Sequence, residues 1–309
     1  MIKHANGSGK AHAKAILIGD HAVVYQQPAV AIPLLNLEVT ACFQSLEESQ
    51  TIILSGQAIE LSDLGADLEG IRQLIVALLK DHDQSESGFL LEVASNIPQE
   101  RGFGASAALA TAITRAFFAW QQKPLSEEKL QHYTTLAENI SHGSPSGIDA
   151  ATVSSEEPVW FQDHRCSTFE TSLDATLILA DTGVRGQTVR AVNIVKEQLK
   201  EHYDESWAAI SHLGKLAYAV KEALVENDPV TLGQIFTSAH HDLQALQVSH
   251  PKLDQLVAAA LEAGALGAKL TGSGIGGAMF ALAENDKEAE KIARALAKAG
   301  ARETWIQPL

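Results

Sequence analysis

The sequence predicts an α+β fold in two domains, and three observations carry that prediction. Strand-like segments fill residues 11–56, whereas helical spacing dominates from Thr188 onward, so the two element types are grouped rather than strictly interleaved. The chain has 309 residues, more than one hydrophobic core usually serves. Apolar residues make up 46% of it, ample for two packed interiors.

In order, Ala15–Ile18 is an apolar run that ends at Gly19, and residues 34–43 partly alternate, so both read as strands. Ile52-Ile53-Leu54 follows a polar turn. Asp63 to Lys80 carries apolar residues at helical spacing (Leu64, Leu68, Ile71, Leu74, Ile75, Leu78), with Ser62 as its expected cap. Gly88–Ala94 reads as a strand and Ala107–Trp120 as a helix without a breaker. Ser126 opens another helix that fades near Ser141. Residues 154–167 read as polar turns, and Thr176–Ala180 as a strand ending at Asp181-Thr182-Gly183. Four helices are expected over 189–201, 207–226, 229–245 and 251–263. Residues 267–272 lead into an apolar, strand-like run at 278–283, and a helix at 286–299 and a short strand at 304–306 complete the chain. No internal repeat and no low-complexity segment is visible. The stretch poorest in motifs, 157–174, is where the domain boundary is expected, giving domains of 1–170 and 171–309.

Composition narrows the function. A net charge of −15 argues against nucleic acid as a partner, because neutralising phosphates needs basic patches. An anion such as a nucleotide would therefore be held by local Lys or Arg, backbone amides or Mg²⁺. No uncharged apolar run reaches about 20 residues, so no membrane span is expected. Residues 1–7 lack the apolar core of a secretory signal. Cys42 and Cys166 are the only cysteines and have no metal-ligand spacing, which predicts a cytoplasmic location.

Four stretches could carry chemistry. Residues 97–110 place Gly102 and Gly104 where a strand gives way to a helix, and a glycine turn entering a helix N-terminus presents free N–H groups suited to a phosphate. A tight turn with close packing is the plainer reading. Gly272–Gly277 matches the dinucleotide pattern G-x-G-x-x-G in letters, but a strand follows it rather than a helix. Close backbone packing, or a backbone wall beside a substrate, suits those glycines better. Lys14 precedes the first apolar run and Asp20-His21 follow it, where polar groups at a strand end face a cleft; a surface lysine and a core histidine are the plainer readings. Glu138 and Asp149 bracket a Gly/Pro/Ser loop, and could supply one Mg²⁺ ligand and one general base. Asp149 could equally cap a turn at Ala150.

Taken in order, these stretches resemble the GHMP kinase superfamily from about residue 8 to the C-terminus. The residues concerned are Lys14 with Gly-Asp-His-Ala-Val-Val-Tyr at 19–25, Pro98 with Gly102-Phe103-Gly104-Ala105-Ser106-Ala107-Ala108, His-Gly-Ser-Pro-Ser-Gly-Ile-Asp at 142–149, and Lys269-Leu270-Thr271-Gly272-Ser273-Gly274-Ile275-Gly276-Gly277. The first and third look like its mevalonate-phosphorylating branch.

The resemblance implies an N-terminal ribosomal-protein-S5-like domain and a C-terminal ferredoxin-like domain, with the active site in the cleft between them. It implies transfer of the ATP γ-phosphate to the 5-hydroxyl of mevalonate, in isoprenoid precursor synthesis, with Mg²⁺. Pro98, Gly102, Phe103, Gly104, Ala105, Ser106 and Ala107 would form the ATP phosphate loop, and Ser106 and Glu138 would hold the metal. Asp149 would take the hydroxyl proton and Lys14 would stabilise the developing charge. Asp20, His21, Ser146, Thr188 and Gly274 would line the substrate pocket. A homodimer is left open.

Three departures from the family pattern stand out: Ala105 where a Ser-Ser pair begins, His12-Ala13 in place of Pro-Gly, and Asp20 in place of Glu. Phosphomevalonate kinase or another superfamily kinase, such as one acting on homoserine, is the alternative. A non-catalytic ligand sensor on the same fold is another, disfavoured because it would have no use for Lys14, Ser106, Glu138 and Asp149 together. The His142–Asp149 stretch disfavours a diphosphomevalonate decarboxylase.

Overall fold

Two glycines near the start of the chain decide how its first helix layer meets its sheet. In β1 (Asn6–Ile18), a Cβ on Gly7 would fall 2.0 Å from the Trp120 nitrogen, and one on Gly9 would fall 2.3 Å from the Ala112 carbonyl. Helix α2 (Ala105–Trp120) therefore lies with its backbone directly on β1, and its alanines at 107, 108, 112 and 116 are fully buried. The computed structural model describes residues 6–99, 101–142 and 147–309.

The chain forms two compact units. The first holds the described residues up to Lys14, Pro33–Ile97 and the described part of Gly104–Glu156. Its strands run in the order β4 (Gln57–Glu60), β3 (Gln50–Leu54), β5 (Gly88–Ser95) and β2 (Ala29–Leu46), and β1 also pairs with β2. β3 is parallel to β5, with α1 (Glu69–Asp81) in the connection, and β5 is antiparallel to β2 with Leu91 opposite Phe43. Phe43, Phe89, Phe117 and Trp120 form the aromatic centre of this core; Phe43 and Trp120 stack at 5.3 Å. Helices α3 (Glu127–His142) and α4 (Ile148–Val153) complete the layer.

The second unit holds Ala15–Ile32, Pro98–Phe103 and Glu157–Leu309. Its four-stranded antiparallel sheet has the order β11 (Glu303–Pro308), β8 (Thr176–Asp181), β10 (Ala278–Ala283), β9 (Gly267–Thr271). Every residue of β8, β9 and β10 is buried, which is why their sequences are nearly unbroken apolar runs. The α-helices that accompany it are α5 (Thr188–Glu201), α6 (Tyr203–Val225), α7 (Pro229–Ala245), α8 (Pro251–Glu262) and α9 (Asp286–Lys298) among the described residues. Among the described residues no helix is long and apolar enough to cross a membrane.

The α+β class and most elements agree with the sequence reading. However, β1, β2 and α6 begin nine, five and four residues before the expected runs, and β4 and β9 are strands the sequence reading does not assign. Two further elements differ in kind. The helix expected from Asp63 begins only at Glu69, after two single 3₁₀ turns at 61–63 and 66–68, and Ser62 donates to the Asp63 side chain instead of capping it. Gly65 interrupts the periodicity, although Leu61 and Leu64 are still buried. The polar turns expected over 154–167 contain a hairpin, β6 (Val159–Gln162) and β7 (Arg165–Thr168), whose first strand pairs with Ala29–Ala31. Its turn residues Asp163 and His164 both have positive φ, 50° and 60°, the twist a two-residue hairpin needs, without the glycine that would have announced it.

Candidate active site

In the first unit, close packing of β1 and α2 puts Lys14 beside the first turn of α2. Gly104, the residue before that turn, has φ 72° and ψ 25°. A Cβ there would lie 2.9 Å from Lys14 Cγ and 3.2 Å from Val153 Cγ1, so only glycine both adopts the left-handed conformation and leaves the lysine stem its path. Lys14 runs through that gap and its Nζ meets Asp149 Oδ1 at 2.9 Å. The lysine side chain is 4% exposed and the Asp149 side chain 37%, so a buried cation holds a carboxylate that still faces solvent.

Helix α2 opens without a side-chain cap and without an acidic residue in its first turn. Its leading N–H groups and the positive end of its dipole are thus available to an anion. Within that first turn, Ser106 Oγ donates to Glu138 Oε1 of α3 at 2.7 Å, and Glu138 is buried. A hydroxyl and a carboxylate are hard oxygen donors, and two of them with phosphate oxygens and water form the kind of set Mg²⁺ takes. No group of three or more His, Cys, Asp or Glu that could hold a metal exists among the described residues.

In the second unit, Asp20 is fully enclosed and both its oxygens are engaged. Oδ2 accepts from Lys269 Nζ at 2.5 Å and Oδ1 from the Gly272 N–H at 2.7 Å. Lys269, on β9, also donates to the Leu270 carbonyl. Burial pushes its pKa down and Asp20 opposes that shift. His21, at φ 60°, lies 2.9 Å from the Ser273 carbonyl through Nε2. A carbonyl only accepts, so that nitrogen carries the proton and Nδ1 is left as an acceptor. Burial lowers the His21 pKa below its usual value, with the Ser273 carbonyl opposing it. The loop Pro98–Phe103 belongs to this unit. Arg101 Nε donates to Asp181 Oδ2 at 2.7 Å, and Phe103 is buried edge-on against Trp305.

The structure thus joins Lys14 to Asp149, Ser106 to Glu138, and the loop at 102–104 to the start of α2. Asp20 and His21 reach the glycine-rich stretch 272–273. Gly274 has φ 70°, and a Cβ there would sit 2.0 Å from the Val248 carbonyl, so the close-packing reading accounts for this glycine by itself. Thr188 is exposed at the first residue of α5. Pro98 is half-buried, and Ala105 and Ala107 bring only backbone and methyl groups. Ser146 lies outside the described residues. Two residues carried no role in the sequence reading: Lys269, whose signal was a charge inside an otherwise apolar strand, and Arg101, a charge inside a glycine turn.

Family models for the GHMP kinases N terminal domain and the GHMP kinases C terminal region match residues 69–156 and 220–302. The mevalonate kinase of Thermococcus onnurineus is 33% identical over 94% of this chain and 92% of its own length. The crystal structure of mevalonate kinase from methicillin-resistant Staphylococcus aureus superposes with a TM-score of 0.78 at 32% identity, covering 99% of both chains. Leishmania major mevalonate kinase, solved in complex with R-mevalonate, shares the fold at TM-score 0.84 and 22% identity, over 99% of this chain and 98% of its own.

Proposed function

The chain belongs to the GHMP kinase family, and from that membership and its mevalonate kinase relatives we infer that it transfers the γ-phosphate of ATP to the 5-hydroxyl of mevalonate. The observation that carries the chemistry is the Lys14–Asp149 pair, a buried ammonium holding an accessible carboxylate.

Phosphoryl transfer asks a protein for positioning and charge neutralisation rather than covalent chemistry. Asp149 accepts the proton of the substrate hydroxyl as that oxygen attacks the γ-phosphorus and ADP departs. Lys14 fixes the carboxylate and offers its ammonium to the charge that develops on the attacking oxygen. The backbone of Gly102–Ala107 and the N-terminus of α2 receive the phosphates, with Pro98 setting the entry to the loop and Ala105 contributing no hydroxyl. Ser106 and Glu138 would hold Mg²⁺, which would neutralise phosphate charge there. His21 Nδ1 accepts from a substrate hydroxyl, while Asp20 holds the glycine-rich stretch beside it. Thr188, Ser146 and Gly274 remain assigned to the substrate by resemblance alone. A cytoplasmic location, where ATP and Mg²⁺ are abundant, belongs to the same proposal.

A coupled ADP-release assay with Mg·ATP and, separately, mevalonate, phosphomevalonate and homoserine tests the substrate. Turnover is expected with mevalonate; turnover of either other acceptor with none of mevalonate overturns the assignment.

A further inference from the structure

We propose that Arg101 is a positioning residue for ATP, acting through a buried ion pair with Asp181 that sets the conformation of the turn at 101–103. The proposal rests on the reading of that turn as part of a phosphate cradle.

A cradle whose N–H groups are to face phosphates cannot also spend them on anchoring itself. Its anchors must be side chains. Gly102, at φ 83°, contributes none, and the two residues flanking it are the ones with distant partners. Phe103 is 1% exposed and packs edge-on against Trp305 of β11, with ring centres 5.6 Å apart. Arg101 Nε lies 2.7 Å from Asp181 Oδ2, with side-chain exposures of 9% and 5%. Asp181 is the last residue of β8 and is itself fixed: its Oδ1 accepts from the Gly183 N–H at 2.8 Å and its carbonyl from the Arg302 N–H at 2.8 Å. One wall of the sheet, β8 and β11 paired antiparallel, thus grips the loop on both sides of its flexible glycine.

An apolar pair would pack as well without the desolvation cost of two enclosed charges. What the ion pair adds is direction. A guanidinium hydrogen-bonded to a fixed carboxylate sets the Arg101 backbone, and with it the orientation of the peptide entering Gly102. A loop ordered in advance does not have to be ordered by the nucleotide, so the benefit should appear in ATP affinity.

The test compares Arg101→Met, Arg101→Lys, Asp181→Asn and the double variant Arg101→Met/Asp181→Asn, each checked by circular dichroism and thermal melting. For the Met and Asn variants the KM for Mg·ATP, and the Kd of a non-hydrolysable ATP analogue, should rise about tenfold, the loss of one charge-assisted hydrogen bond. The KM for mevalonate and kcat should stay within about threefold, Arg101→Lys should fall between, and the double variant should be no worse than either single. An unchanged ATP KM in folded variants, a fall confined to kcat, or additive losses in the double variant overturns the proposal. So does failure of Arg101→Lys to fold, which would make the pair a folding element only. Ser106→Ala separates the two readings: if it also leaves ATP KM and Kd unchanged, the cradle assignment itself has failed; if it raises them while the Arg101 variants do not, only the present proposal has.

Discussion

Lys14 and Asp149 form an asymmetric pair: at 2.9 Å the ammonium is almost wholly enclosed while more than a third of the carboxylate side chain remains open. The asymmetry follows from where each residue sits. Lys14 lies in a strand pressed onto α2 and threads past a glycine that has no side chain to block it, whereas Asp149 stands in the first turn of the six-residue α4. An ion pair meant only for stability would gain from burying both partners or exposing both. Here one partner is sheltered from water and the other stays open to solvent.

Replacing that carboxylate should therefore separate chemistry from binding. Asp149→Asn keeps the shape and a contact to Lys14 but cannot accept a proton. The kcat should fall about 10³-fold, within the range a general base contributes, while the KM for Mg·ATP changes less than about threefold. Steady-state kinetics against both substrates decides it, and near-wild-type turnover in the Asn variant would sink the role given to Asp149.

Much of the architecture was legible because each element announced itself locally. β10 is an uninterrupted apolar run, β8 an apolar run between Thr176 and Asp181, α7 and α8 begin at prolines, and the loop before α2 shows its glycines in the letters. What escaped depends on residues far apart in the chain. The β6–β7 hairpin is only four residues a side and turns on Asp163-His164, so neither length nor turn chemistry marks it; its partner strand lies about 130 positions earlier. Asp20 reads as a polar strand end facing a pocket, but its partner Lys269 is 249 positions away, and no local signal says that both carboxylate oxygens are taken. Pairings such as Ser106 with Glu138 could be listed as neighbours only through the family resemblance, and the fold then supplies the distance.

The Asp20–Lys269 pair makes a stability prediction. Both side chains are fully enclosed, so Asp20→Asn leaves a buried ammonium whose main counter-charge is gone. Breaking one partner of such a pair costs about 3–5 kcal/mol. Urea denaturation should show that loss for Asp20→Asn. The double variant Asp20→Asn/Lys269→Met should be more stable than Asp20→Asn alone, because no uncompensated charge remains. Asp20→Glu, which keeps the carboxylate but must fit one more methylene, should fall between wild type and Asp20→Asn. A single variant within about 1 kcal/mol of wild type would contradict the pairing.

His240 predicts how the second unit responds to acid. It is buried on α7, where Nε2 lies 3.2 Å from Asp254 Oδ1, Nδ1 accepts from the Leu270 N–H at 3.4 Å, and the residue before Leu270 on β9 is the Lys269 cation. Burial pushes its pKa down to about 4, with Asp254 pulling upward and Lys269 downward. In the unfolded chain the imidazole titrates near 6.5. Between those two values the unfolded state binds a proton that the folded state does not, so stability falls as pH drops from about 6.5 towards about 4, with a ceiling of about 3 kcal/mol. Below that window the group is protonated in both states and contributes no further slope. His21, whose pKa is also lowered by burial, acts in the same direction, so the contribution of His240 must be read as a difference. His240→Gln retains an acceptor and a donor at similar reach without titrating. Its denaturation free energy, measured from pH 7.5 to 4, should fall less steeply than that of the wild type below pH 6.5; parallel curves through that window would show that His240 takes up its proton without cost to the fold.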